Sequence, residues 1–309
     1  INSTGYVSSE ARKRVLASIK ELNYVPNELA RHLFRNRSGI VALLVPVIDH
    51  PFFSSFVQSF EEELAQNGYK LMLCATNSNA ELELEYLSML QRNMVDGIIS
   101  GVYTEDTRVY ADLEQPVVAF DRYLGPSIPM VHSDHKQGVI MATELFVELG
   151  RRKVLHRGNV SGMHAYQSMP FMEKGLFFEQ LVREHGITYV EYKTPDNNIH
   201  LRPPSDEVFR SVLQAQPDID AFFGSDMEAC TIIRVAQQLH KRVPEDLAVI
   251  SYDGTQITQA LSKPLTCIVQ PMQAIARNAV QLLIDQIEGK RFENHTVCLP
   301  VTLRRGATA

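Results

Sequence analysis

The chain has 309 residues, 45% of them hydrophobic and 21% charged. That is a globular composition of about two domains at ~100–200 residues each, and it excludes a largely disordered chain, a collagen and a disulfide scaffold. The net charge of −6 is uneven, because residues 1–38 carry seven Lys or Arg against three acids and leave −10 on the remainder, so a basic arm on an acidic body points to a polyanion such as a duplex.

In chain order, residues 7–24 predict one amphipathic helix capped by Ser8 or Ser9. Val15, Ile19 and Leu22 form its apolar stripe, and Arg12, Lys13, Arg14 and Lys20 lie on its other faces. A helix this short cannot bury such a stripe alone. Pro26 then opens a second short helix to Leu33, as proline suits a first turn. From residue 40 the pattern alternates. Strands are expected at 40–47, 71–75, 95–102 and 116–121, with helices at 54–67, 80–93 and 106–114 between them. A second series follows, with strands at 153–157, 189–192, 220–224 and 247–252 and helices at 135–149, 171–185, 206–214 and 227–240. A strand at 266–270, a helix at 272–289 and a final strand at 296–303 complete the chain. Gly68, Gly150 and Gly186 sit where helices should stop. Alternation of this kind means parallel sheets covered on both faces, and two series mean two α/β lobes.

Open α/β sheets bind ligands beyond the C-terminal ends of their strands. That rule selects Asp49 and His50, Asp121 and Arg122, Ser225 and Asp226, and Tyr252 and Asp253 as residues aimed into an inter-lobe cleft. Carboxylates accept paired hydrogen bonds from vicinal hydroxyls, and arginine supplies a planar donor fork. Phe52, Phe53 and Tyr252 offer flat faces to a sugar ring. Cys74, Cys230, Cys267 and Cys298 lie far apart with no CxxC, so they read as small core residues of a reducing compartment and not as a metal site. There is no apolar run long enough for a membrane span, no GxSxG, P-loop, HExxH or dinucleotide fingerprint, and no cofactor is implied.

Several strings together resemble the lactose-repressor/galactose-repressor (LacI/GalR) family of transcriptional regulators. They are Tyr6-Val7-Ser8 through Leu22-Asn23-Tyr24-Val25-Pro26-Asn27 and Ala30-Arg31, Ser38-Gly39-Ile40, Phe120-Asp121-Arg122, Ser133-Asp134-His135 with Gly138, Val243-Pro244-Glu245 through Ser251-Tyr252-Asp253, Gln270-Pro271, and Leu299-Pro300-Val301. The resemblance covers essentially the whole chain in order. It implies a periplasmic-binding-protein-like core of two doubly wound lobes behind a helix-turn-helix headpiece and a hinge helix. Residues 1–38 would be part of the headpiece and the hinge, residues 39–134 with 271–295 the first lobe, and residues 135–270 with 296–309 the second. The chain opens at Ile1-Asn2, which resembles the end of the family's recognition helix, so only part of the headpiece is expected.

The resemblance further implies a non-enzymatic, cytoplasmic repressor of sugar uptake or catabolism that acts as a homodimer on operator DNA. Its effector would be a small molecule, a sugar or sugar phosphate, bound in the cleft where Gln270 joins the strand-end residues. Asn27, Ala30, Arg31 and Leu33 would meet the minor groove, with Leu33 as the apolar wedge. Helices 54–67 and 227–240 would lie at the two-fold interface. A free-standing solute-binding protein shares the fold, but has no use for the basic arm. Two departures from the family's pattern stand out. The arginine expected three residues before Gly175 is Met172, and Ser225 stands where an asparagine is usual, so the effector contacts there must be lost or supplied by other residues.

Overall fold

The computed structural model describes residues 7–22, 37–77, 79–102, 107–110, 113–158, 170–193 and 204–309. The hinge residues Asn27, Ala30, Arg31 and Leu33 lie outside the described residues. The N-terminal helix α1 (Ser9–Glu21) forms as its sequence dictates, the Ser8 hydroxyl accepting from the Ala11 amide at 3.3 Å. None of its residues is buried.

Two sheets follow, each with six strands. The first contains β1 (Ile40–Val45), β2 (Lys70–Ala75), β3 (Gly97–Ser100), β4 (Val117–Phe120), β5 (Met130–Ser133) and, from the far end of the chain, β11 (Thr296–Leu299). Its order is β11-β5-β4-β3-β1-β2, parallel throughout. The second contains β6 (Lys153–Arg157), β7 (Thr188–Tyr192), β8 (Ala221–Ser225), β9 (Ala248–Asp253), β10 (Thr266–Val269) and β12 (Thr302–Arg304). Its order, β12-β10-β9-β8-β6-β7, repeats that of the first, with only β12 antiparallel.

Near-continuous apolar strands such as Val41–Val45, fully buried, require cover on both faces. In the first lobe α2 (Pro51–Gln66) and α9 (Met272–Ile287) cover one face through Phe56, Phe60, Leu64, Ile275, Val280 and Leu283. The other face is closed by α3 (Ala80–Gln91) and Tyr110. In the second lobe α4 (His135–Glu148) and α5 (Pro170–Glu184) lie on one face, α6 (Asp206–Ala215) and α7 (Asp226–Gln238) on the other. The remaining helix, α8 (Ile257–Ala260), is one turn after β9. Gly138 lets α4 sit close to the sheet, since a methyl group there would come within 2.9 Å of Ile268 Cγ2 and 3.0 Å of Tyr252 Cε2.

Three expectations need correction. Strand β5 was not anticipated, because its four residues alternate buried and half-buried and carry His132 and Ser133. The final strand expected at 296–303 is two strands in different sheets, broken at Pro300 and Val301. Residues 296–299 therefore belong to the first lobe, and the chain makes its last crossing after Leu299, not before Thr296. Finally, Cys298 is exposed on the edge strand β11 and is not a core residue, although all four cysteines are free thiols.

Candidate functional site

Both lobes place their switch points, between β1 and β3 and between β6 and β8, at facing ends of the sheets. The space between them, about 940 Å³ including its mouth, is lined from the first lobe by His50, Phe52, Phe53 and Asp121. The second lobe contributes His135, His156, Arg157, Met172, Lys174, Ser225, Glu228, Tyr252 and Asp253, and Gln270 stands at a crossing.

Local rules fix most of these side chains. His50 is the N-cap of α2, its Nδ1 accepting from the Phe52 amide at 3.2 Å, which leaves Nε2 as the ring's donor. Burial lowers its pKa, against the pull of Glu228 and Asp49. Asp121 and Asp253 follow β4 and end β9 at φ of +55° and +115°. Non-glycine residues held in such conformations cost roughly 1–3 kcal/mol each and cluster where function requires them. Gly254 continues the second turn at φ +74°, pressed so close to Val269 that a Cβ would lie 2.8 Å from its Cα.

Two side-chain relays tie the lobes together across the cleft. In one, Asp121 accepts from His135 Nε2 at 2.7 and 3.0 Å, and His135 Nδ1 meets the Tyr252 hydroxyl at 2.7 Å. In the other, the Ser133 hydroxyl donates to Gln270 Oε1 at 2.8 Å, and Gln270 Nε2 donates to Asp253 Oδ1 at 2.8 Å. Burial, then the charge of Asp226, hold the Asp253 carboxyl well above the usual carboxylate range, and Lys174 pulls in the opposite direction. Opposite, Arg157 Nε lies 2.7 Å from Glu228 Oε1, both side chains buried. Glu228 also accepts from the Ser225 amide at 2.8 Å as the second half of the capping box that starts α7. The Lys174 ammonium sits 3.8 Å from the centroid of the Tyr252 ring.

His156 forms part of the floor. Its Nδ1 donates to the Phe223 carbonyl at 2.6 Å, so Nε2 is the bare nitrogen. Packed edge-on against Phe178 at 5.0 Å, it has its pKa lowered to about 4, chiefly by burial. The unfolded chain then binds a proton near pH 6.5 that the folded chain refuses until about pH 4. Stability from this group is complete above pH 6.5 and is lost as pH falls through that window. His156→Gln should flatten the pH dependence of urea-unfolding free energy between pH 6.5 and 4 by roughly 2–3 kcal/mol. An unchanged slope would place the proton elsewhere.

Eight of the residues selected at strand ends or by resemblance reach the lining: His50, Phe52, Phe53, Asp121, Ser225, Tyr252, Asp253 and Gln270. Three do not. Asp49 is exposed outside it. Arg122, 1% exposed, turns back into the first lobe and donates from Nη1 to the Val102 carbonyl at 3.0 Å. Asp226 lies one layer below, its Oδ2 accepting from the Thr255 amide and hydroxyl at 2.7 Å each, and so fixes the loop after β9. The chain turns at both places, at Asp121 with φ +55° and at the Ser225 N-cap of α7, so each Asp-Arg or Ser-Asp pair delivers one member to the cleft and one to the wall. His135, His156, Arg157, Lys174 and Glu228 were not anticipated. What the assembled lining offers is a set of acceptors, donors and flat rings converging on one cleft between the lobes.

Residues 143–309 match the family described as the periplasmic binding protein-like domain. The chain is 33% identical over 304 residues to the ribose operon repressor of Halalkalibacterium halodurans, covering 98% of this chain and 89% of that protein. It is also 33% identical to the sucrose operon repressor of Pediococcus pentosaceus, covering 100% of this chain and 93% of that protein. Among solved structures, a periplasmic binding protein/LacI transcriptional regulator from Alkaliphilus metalliredigens, complexed with D-xylulofuranose, superposes with a TM-score of 0.72 at 27% identity, over 88% of this chain and 99% of that one. The transcriptional regulator CelR in its cellobiose complex gives 0.71 at 25% identity, over 100% and 93% of the two chains.

Proposed function

The chain belongs to the LacI family of transcriptional repressors, and from that premise we propose that its cleft takes a small sugar whose binding sets the affinity for operator DNA. It is a regulator and not an enzyme. The observation that carries the effector reading is the convergence of Asp121 and Asp253 with the rings of Phe52, Phe53 and Tyr252 in one inter-lobe cleft. Carboxylates and amides hold the hydroxyls of a sugar, and aromatic faces cover its C–H surfaces. Ribose and sucrose operons name the relatives' targets, and xylulofuranose and cellobiose occupy the neighbours.

The relays from Asp121 to Tyr252 and from Ser133 to Asp253 join the lobes beside that volume, so an occupant changes how the lobes meet. The change passes to residues 26–33, where Asn27, Ala30 and Arg31 meet the minor groove and Leu33 is the wedge. Operators of this kind carry two symmetric half-sites, which calls for a homodimer. Helices Pro51–Gln66 and Asp226–Gln238 are proposed at its two-fold interface, and the cytoplasm as its place of action. Among the described residues no helix is long and apolar enough to cross a membrane.

The test titrates the protein against operator and scrambled duplex, with and without each of ribose, xylulose, sucrose and cellobiose. One sugar should change operator affinity about tenfold or more, the ordinary scale of allosteric coupling. Leu33→Ala should weaken operator binding and spare sugar binding. If no sugar moves operator affinity the effector reading fails, and if Leu33→Ala leaves it intact the hinge reading fails. Sedimentation of a monomer at micromolar concentration would remove the dimer.

A further inference from the structure

The cleft lining carries the carboxylates of Asp121, Asp253 and Glu228 and the cations of Arg157 and Lys174. Each has a partner inside the wall. Arg157 is committed to Glu228 at 2.7 Å. Asp121 meets His135 with both oxygens. Asp253 takes one hydrogen bond from Gln270. Lys174 lies over the Tyr252 ring at 3.8 Å, on a face that a sugar would otherwise cover. Asp253 and then Asp121 and Glu228 are the charges that favour its ammonium form, against the opposing and larger effect of burial.

We infer that Lys174 is a specificity-determining residue: in a cleft whose wall charge disfavours phosphorylated sugars, it supplies effector hydroxyls with the cationic donor that Met172 and Ser225 do not offer, and it tunes the site to uncharged sugars over amino sugars. The inference rests on the sugar reading above. Met172 and Ser225 both line the cleft, and neither offers a cationic donor. Lys174 is the cation of the same helix turn that does reach the lining. Asp121, Asp253 and Glu228 against Arg157 and Lys174 leave one net negative charge, and this holds whichever of Lys174 and Asp253 keeps the proton between them. A phosphate ester brings about −1.5 to −2 more into that volume. Burying such a charge without a new counter-charge is unfavourable, whereas a neutral sugar adds no charge to offset. Without Lys174 the wall becomes more negative, and a ligand amine would then take the vacated place.

The experiment is calorimetry on the wild-type protein, Lys174→Met and Lys174→Arg. The probes are D-ribose, D-glucose, D-fructose and sucrose, their 5- or 6-phosphate esters, and the 2-amino-2-deoxy analogue of whichever sugar binds. The wild type should prefer the best neutral sugar to its ester by about 100-fold or more, which corresponds to roughly 2.7 kcal/mol. Lys174→Met should bind that sugar about tenfold more weakly and shift the amine-to-hydroxyl preference about tenfold toward the amine, on the scale of one charge-assisted hydrogen bond. Lys174→Arg should keep the wild-type amine-to-hydroxyl preference, because it keeps the positive charge, although its planar fork seats differently and changes the affinity itself. Thermal melts of the variants separate loss of binding from loss of fold, and a merely structural lysine would weaken all probes alike. An ester that binds as tightly as its parent, or a Lys174→Met variant of unchanged affinity and selectivity, overturns the inference and leaves the sugar reading standing. A panel in which nothing binds overturns that reading, and the inference with it.

Discussion

Replacing Glu228 with alanine is expected to destabilise the protein by roughly 3–5 kcal/mol, the usual cost of removing one member of a buried ion pair. The partner left behind is Arg157, and the two side chains are 6% and 5% exposed. Burial works against the guanidinium charge, but Glu228 and then Tyr192 outweigh it and hold the Arg157 pKa above its usual value. The same substitution removes half of the capping box at the start of α7, where the Glu228 amide also donates to the Ser225 hydroxyl at 3.4 Å. The pair Arg157→Met with Glu228→Leu should recover most of the loss, since matched apolar replacements of a buried pair are often neutral or better. Urea unfolding of the single and double variants measures both. A Glu228→Ala cost below about 1 kcal/mol would mean that water already screens the pair, as it does surface ion pairs.

Asp253→Asn should weaken effector binding about tenfold or more while the protein keeps its fold. Asparagine tolerates positive φ better than most residues, and its carbonyl still accepts from Gln270 Nε2. What is lost is the second carboxyl oxygen, replaced by an amide nitrogen that can only donate. A ligand hydroxyl left unpaired in a buried site costs about 1–3 kcal/mol. Calorimetry with the sugar that the operator titration identifies is the measurement, and unchanged affinity would move the effector away from this strand end.

Much of this site was legible because strand ends are places as well as sequences. The switch-point rule needed only the positions of β1, β4, β8 and β9 to select Asp121, Asp253 and Tyr252. It stopped short where direction mattered. It put Arg122 beside Asp121 in the cleft, although the turn at Asp121, with φ +55°, leaves one in the cleft and sends the other into the wall. Applied to the end of β6 it would also have found Arg157. Lys174 and Glu228 were passed over because charged residues in a helix's first turns read as solvated. Their spacing carried the opposite signal. Lys174, Phe178 and Val182 recur every four residues, and Phe178 and Val182 are fully buried. Glu228 precedes the buried Ile232 by the same interval. A charge on the buried stripe of a helix marks a polar interior, which here is the cleft. Strand β5 had no comparable signal, being four residues long and half polar.

The order of the strands also governs how the protein is made. A ribosome adds ~5–20 residues per second and releases the chain from its N-terminus, so domains ordinarily fold as they emerge. Here the first lobe cannot. The helix that covers one face of its sheet, α9, and its edge strand β11 are encoded after the whole second lobe up to β10. Until then Val41, Leu43 and Val45 lack the partners Ile275, Ala279, Val280 and Leu283 that bury them. The nascent protein therefore carries a sheet face covered only by α2 through most of its own synthesis. A premature stop near residue 270 would spare most strands of the second lobe and unroof the lobe that was translated first.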